Sequence, residues 1–122
     1  ITNTFTYNDL NKLLSQTNGE GETTSYDYDA KGNLTSVFQA NGNTITYTYD
    51  ALDRVTQIAD NMGIIAVYTY DANGNQLSAT DAMGRTMTSA YDAFNRLVLR
   101  TMPSGAVTQY TYDNNSNQTV LL

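Results

Sequence analysis

A tyrosine returns every 21 residues along the chain, at Tyr7, Tyr28, Tyr49, Tyr70, Tyr91 and Tyr112, with no slip in six copies. A fixed period of this length constrains the fold more than composition does, because one small supersecondary unit is being built repeatedly and stacked on its own copies. Three further registers keep step with it. An aspartate follows the tyrosine in five copies, at Asp29, Asp50, Asp71, Asp92 and Asp113, with Asn8 in its place in the first. A second aromatic ring stands two residues before the tyrosine, at Phe5, Tyr26, Tyr47, Tyr68 and Tyr110, and Ser89 interrupts that series. Fourteen residues after each of the first five tyrosines comes a glycine, at Gly21, Gly42, Gly63, Gly84 and Gly105.

Each copy reads as strand, turn, strand, turn. In residues 44–50 hydroxyls alternate with large apolar groups, the period of a strand with one covered face. Thr44, Thr46 and Thr48 then face water, while Ile45, Tyr47 and Tyr49 face a core. The stretches Asp29-Ala30-Lys31-Gly32-Asn33 and Asp71-Ala72-Asn73-Gly74-Asn75 supply an aspartate that can bond its own backbone and a glycine free to take positive φ. Where that glycine is replaced, the residues are Asn11, Asp53, Asn95 and Ser116; Asn and Asp tolerate the left-handed region best among the others. A second strand follows, as in residues 54–59, and a second turn, clearest in Ala40-Asn41-Gly42-Asn43. Thr, Tyr, Val and Ile are abundant and nothing has a helical period. The expected fold is all-β: residues 1–122 form one array of five full repeats plus partial ends, an antiparallel meander of about 11 short strands. A sheet of that many strands twists, so a curled or spiralling open sheet is expected.

Residues Tyr28-Asp29-Ala30-Lys31-Gly32-Asn33-Leu34, and with variation those at 49–55 and 91–97, give the pattern Y-D-x-x-G-[RN]-L. This resembles the YD repeat of the rearrangement-hotspot (Rhs) family of bacterial toxins, the C components of insecticidal toxin complexes, and the animal teneurins. The resemblance covers essentially the whole chain. It implies a β-hairpin strip that spirals into a hollow shell, in which bacterial members enclose a toxic C-terminal domain. It implies a bacterial protein at the cell surface or outside the cell. The pattern is departed from in Gly74-Asn75-Gln76-Leu77, where the leucine moves by one and a local bulge is expected. The self-cleaving aspartyl segment and the proline-rich junction of the bacterial shells have no counterpart, Pro103 being the sole proline. Six copies are also fewer than a shell needs, so the chain is expected to be a stretch of wall.

Twelve acidic residues against six basic leave a net charge of −6, which repels nucleic acid and anionic lipid surfaces. No His or Cys is present, which removes imidazole bases, thiolate nucleophiles, zinc clusters and disulfides. No apolar run reaches the roughly 20 residues of a membrane-spanning helix. No cofactor, metal or catalytic residue is expected, and the periodic Tyr, Asp and Gly are read as structural. Asp71-x-Asn73-x-Asn75 echoes the start of a calcium loop but lacks its length and closing Glu. Asp27 with Asp29, or Asp50 with Asp53, could be imagined as the paired acids of a glycosidase, but loop acids at a sheet rim rarely hold a sugar between them. An exposed tyrosine row would suit sugar rings, so a carbohydrate-binding adhesion module is a further alternative. Arg54 and Arg96, five residues after a tyrosine, are expected to cover an aromatic ring or to bridge to the neighbouring repeat's aspartate. The phase of the two ends leaves the second turn between Leu122 of one copy and Ile1 of another. Stacking of copies head to tail through edge strands into a filament is therefore an alternative to excerption from a longer array.

Overall fold

A computed structural model describes residues 2–121. Ile1 and Leu122, on which the head-to-tail phasing rests, lie outside the described residues, as do the side chains of Val120 and Leu121. The described residues form strands and turns with no helix. The strands are β1 (Thr4–Tyr7), β2 (Leu13–Thr17), β3 (Thr23–Tyr28), β4 (Leu34–Phe38), β5 (Thr44–Tyr49), β6 (Val55–Asp60), β7 (Gly63–Tyr70), β8 (Gln76–Asp81), β9 (Thr86–Tyr91), β10 (Leu97–Thr101), β11 (Val107–Tyr112) and β12 (Gln118–Leu121). They are twelve, not about 11, because the sixth copy completes its second strand. Strand order follows chain order in an open antiparallel meander, with β1 paired to β2 on one side only and β12 to β11 on one side only. By contact density the chain divides into two compact units, Ile1–Ile65 and Ala66–Leu122, with the division inside β7.

Every odd-numbered strand ends on the periodic tyrosine, and every even-numbered strand begins six residues later. Both kinds of turn close in the same way. Asp29 N–H donates to Asn33 O at 2.9 Å and Gly32 N–H to Asp29 O at 3.0 Å; in the second turn Gln39 N–H donates to Asn43 O at 2.9 Å and Gly42 N–H to Gln39 O at 3.0 Å. This is a three-residue hairpin loop whose last member takes a left-handed conformation. In the second turn that member is glycine at Gly21, Gly42, Gly84 and Gly105, with φ of 90° at Gly42, while β6 and β7 are joined by Asn61 and Met62 alone and Gly63 already belongs to β7 with φ of 131°. In the first turn Asn11, Asp53, Asn95 and Ser116 adopt it with φ of 60–63°.

Beyond the first turn the ladder slips. Thr6 faces Ser15 but Tyr7 faces Leu13, which leaves Leu14 as the extra residue of a bulge. The same slip leaves Thr35, Thr56, Leu77 and Val98 as extra residues in the next four copies. The bulge expected in the fourth copy alone is therefore a property of five, and β11 with β12 is the pair that runs without it. Pairing between successive repeats is shorter. β2 meets β3 over three residue pairs, from Thr17–Thr23 to Ser15–Ser25, and then stops short of Tyr26 and Tyr28; β4 with β5, β8 with β9 and β10 with β11 do the same.

The expected tyrosine core is not there. Among the described residues no side chain, apolar or polar, is fully buried. One sheet layer has nothing to press its covered face against, so the rings at 26, 28, 47, 49, 68, 70, 91, 110 and 112 are half-buried beside one another. Alternation nonetheless holds in β5, where Thr46 and Thr48 are exposed and Ile45, Tyr47 and Tyr49 are half-covered; Thr44, expected in water, is half-covered too.

Gly42 occupies a left-handed position with open space around its missing Cβ, so a side chain there is opposed by the backbone alone. Gly42→Val is expected to cost about 1–3 kcal/mol more than Gly19→Val in urea denaturation. Equal losses would contradict the turn assignment.

Candidate functional site

The residues that recur with the period converge on the first turn of each repeat. The aspartate carboxylate organises it. Asp50 Oδ1 accepts the backbone N–H of Leu52 at 2.9 Å and of Arg54 at 3.1 Å, while Oδ2 accepts Arg54 Nε–H at 2.7 Å. Asp92 does the same with Phe94 and Arg96. In the alternate copies an asparagine replaces the arginine: Asn33, Asn75 and Asn117 each donate a side-chain N–H to Oδ2 of their own aspartate. Asn8, standing in for Asp in the first copy, still accepts from the backbone of Leu10 and Lys12. The pattern D-x-x-x-[RN] is thus a closed hydrogen-bonding circuit, in which a loop of three residues brings members four apart into contact.

Arg54 and Arg96 each bridge to the aspartate of their own turn, which the hairpin loop brings close, at 2.7 and 2.8 Å. The ring-covering expectation holds for Arg96, whose guanidinium lies 4.4 Å from the centre of the Tyr112 ring in the next repeat. Lys12 lies 5.6 Å from the Tyr28 ring in the equivalent way.

Four of the periodic tyrosines also bind the repeat before them. Tyr28 O–H donates to Leu13 O at 2.7 Å, Tyr49 to Leu34 O at 2.6 Å and Tyr91 to Gln76 O at 2.9 Å; Tyr112 donates to Leu97 O. The accepting carbonyl is in every case the first residue of the preceding even-numbered strand, where the inter-repeat ladder has already ended. The phenol thus takes the place of missing ladder bonds. Burial pushes the Tyr49 hydroxyl pKa up, with the charge of Asp29 and the neighbouring Tyr47 adding to it, which keeps the group a donor. Tyr7 belongs to β1, beyond which no strand is described, and is 58% exposed.

Sequence reasoning missed three features. The second turn repeats the same circuit at Asp81-Ala82-Met83-Gly84-Arg85, with Arg85 Nε–H on Asp81 Oδ2 at 2.8 Å. Its signal was the D-x-x-G-R pattern without the tyrosine. The tyrosine hydroxyl bond was missed because a backbone carbonyl has no residue signature. The third is Arg100, which stands across the ladder from Ser89, where other copies pair Tyr26 with Val37 and Tyr47 with Ile58. A long aliphatic stem opposite the small residue restores bulk to the pair. Arg100 Nε is covered, with no hydrogen-bond partner among the described residues.

The acids do not form the pairs that a glycosidase uses. Asp29 is held below the usual carboxylate range chiefly by the Asn33 backbone N–H, Asp81 by that of Arg85 and Asp113 by that of Asn117. For Asp50 and Asp92 partial desolvation pushes upward, but the donors of Arg54 and Arg96 outweigh it and the pKa is lowered. A general acid needs the opposite shift. Asp53 is engaged elsewhere, accepting Lys31 Nζ at 3.2 Å. Among the described residues no three acidic side chains gather as metal ligands would.

A chain in which hairpins recur every 21 residues, their first turns closed by an Asp or Asn side chain and four of them tied to the repeat before by a phenol, is a β-hairpin repeat protein. The family model described as RHS Repeat matches residues 7–37, 28–63, 70–107 and 91–121, and the chain belongs to that family. No curated protein sequence matches it. Among solved structures, the TcdB2-TccC3-Cdc42 crystal structure superposes with a TM-score of 0.71 at 21% identity, over 93% of this chain and 7% of that one. TcdB2-TccC3 without its hypervariable C-terminal region gives the same values. The Tc holotoxin pore of Photorhabdus luminescens gives a TM-score of 0.50 at 18% identity, over 96% of this chain and 9% of that one. The chain thus spans under a tenth of the length of these structural relatives.

Tyr49→Phe removes one inter-repeat hydrogen bond and is expected to cost about 1 kcal/mol, with Tyr7→Phe close to neutral by the same denaturation measurement. The lowered aspartate pKa values fix a pH dependence. The unfolded chain binds more protons than the folded one below the ordinary carboxylate value of 3.8. Stability is accordingly level above about pH 5 and falls as pH drops through 4 towards the depressed values. Urea midpoints unchanged between pH 5 and pH 3 would contradict the circuit.

Proposed function

We propose that this chain is a non-enzymatic stretch of wall in an exported Rhs-like protein, a single array whose work is done by the sheet it builds. The periodic Tyr, Asp and Gly are its structural residues. The observation that carries this reading is where the periodic chemistry goes. Each recurring side chain with a bond described above spends it on its own turn or on the preceding repeat, and none of these bonds points toward a ligand. The superposition on under a tenth of the TccC3-containing chains fits a segment that meets further repeats at its edges. By this reading the partners are other copies of the repeat, and the place of action is outside the cell or at its surface.

The filament reading draws on one observation, the one-sided pairing of β1 and β12, since an unpaired edge is a template for another strand. The intact protein from its source, recovered from secreted and cellular fractions and weighed by mass spectrometry, separates the two. The wall reading expects a mass far above 13.4 kDa in the exported fraction. A mass near that value, with strand-continuous polymers, would replace the wall with the filament.

A further inference from the structure

The repeats are of two kinds that alternate. The fifth residue after each periodic tyrosine reads Lys12, Asn33, Arg54, Asn75, Arg96 and Asn117, a cation and an amide in turn. The fourth reads Asn11, Gly32, Asp53, Gly74, Asn95 and Ser116, so Asn or Asp accompanies the cation, and Gly or Ser the amide. We propose that contact between successive first turns through these two positions decides which kind of repeat follows which, so that the unit of construction is a pair of repeats.

Two junctions show an amide turn followed by a cation turn. Asn33 Nδ2–H donates to Asp53 Oδ1 at 3.0 Å, and Lys31 Nζ stands 3.2 Å from the same oxygen. Asn75 and Asn73 both donate to Asn95 Oδ1, at 2.9 and 3.1 Å. One oxygen serves two donors from the preceding turn, and a glycine at that place would offer none.

Two junctions show the reverse order. The Lys12 stem runs past Gly32 on its way to the Tyr28 ring, and a Cβ on Gly32 would sit 2.8 Å from Lys12 Cε. Arg96 reaches over Tyr112, and its Nη1 donates to Ser116 Oγ at 3.3 Å. Here the fourth position must stay small. Were one cation turn to follow another, the stem of the first would be driven against the Asn or Asp of the second, and were one amide turn to follow another, the donors of the first would lose their acceptor. Alternation avoids both faults at once. The proposal rests on these contacts alone and is independent of whether the chain is wall or filament.

Gly32 and Gly42 provide the test, because both have φ of 90° and Gly42 has nothing within 4 Å of its Cβ position. Gly32→Ala and Gly42→Ala therefore share their backbone cost and differ in the Lys12 contact. Gly32→Ala is expected to lower Tm by about 2–5 °C more than Gly42→Ala, with the difference abolished when Lys12→Ala is present in both. Equal losses would overturn the proposal. A second measurement converts one junction: Asn75→Arg and Asn95→Gly each lower Tm, while the double variant is more stable than their sum predicts. Additive losses would overturn it. If Asn75→Arg fails to fold alone, a folded double variant supports the proposal and an unfolded one counts against it.

Discussion

A hydroxyl that reaches backward is the bond on which this architecture depends. Within a repeat the two strands are joined by a tight turn and need little else. Between repeats the ladder covers three residue pairs and then ends, with the ribbons still side by side. The phenol of Tyr28, Tyr49, Tyr91 or Tyr112 closes that gap on a carbonyl at the start of the previous second strand. It can do so because the aspartate circuit fixes the turn that follows the tyrosine, and because bulges at Leu14, Thr35, Leu77 and Val98 offset the strand that receives it. The recurrence of Tyr with Asp therefore has a physical reason: one residue joins the repeats, and its neighbour sets the geometry of the join.

The consequence is that the described residues are held together without a fully buried side chain. The ordinary driving force of a domain, full removal of apolar side chains from water, is only partly used here. Half-covered rings, short ladders and closed turn circuits are each modest, and each is repeated with the period. Stability of such a chain is close to a sum over repeats and their junctions. That suits an element meant to be extended to different lengths, and it makes the identity of residues at the junction, such as Gly32 beside Lys12, matter more than bulk hydrophobicity.

The period alone gave the strand and turn order, because hydroxyl-apolar alternation in residues 44–49 and left-handed slots at Asn11 and Gly42 have few other solutions. What it left open depended on pairing. Ile45, Tyr47 and Tyr49 alternate in the same way whether or not a second layer covers them, so the absence of a core was not legible. Arg54 sits four residues from Asp50, and only the loop geometry shows that the two meet within one hairpin. Ser89 looked like a lapse until the register set Arg100 opposite it. Carbonyl acceptors and bulged residues carry no side-chain signal at all.

Residue-resolved amide hydrogen exchange on the 122-residue chain addresses the central claim most directly. If repeats are held by their own turn circuits, protection recurs with the 21-residue period. The backbone amides of Asp29, Asp50, Asp71 and Asp92, each donating across its hairpin to the residue four further on, should then be as slow to exchange as those in mid-strand. Protection gathered into one continuous block, with these turn amides exchanging at unprotected rates, would mean that a core elsewhere holds the chain and would contradict the account.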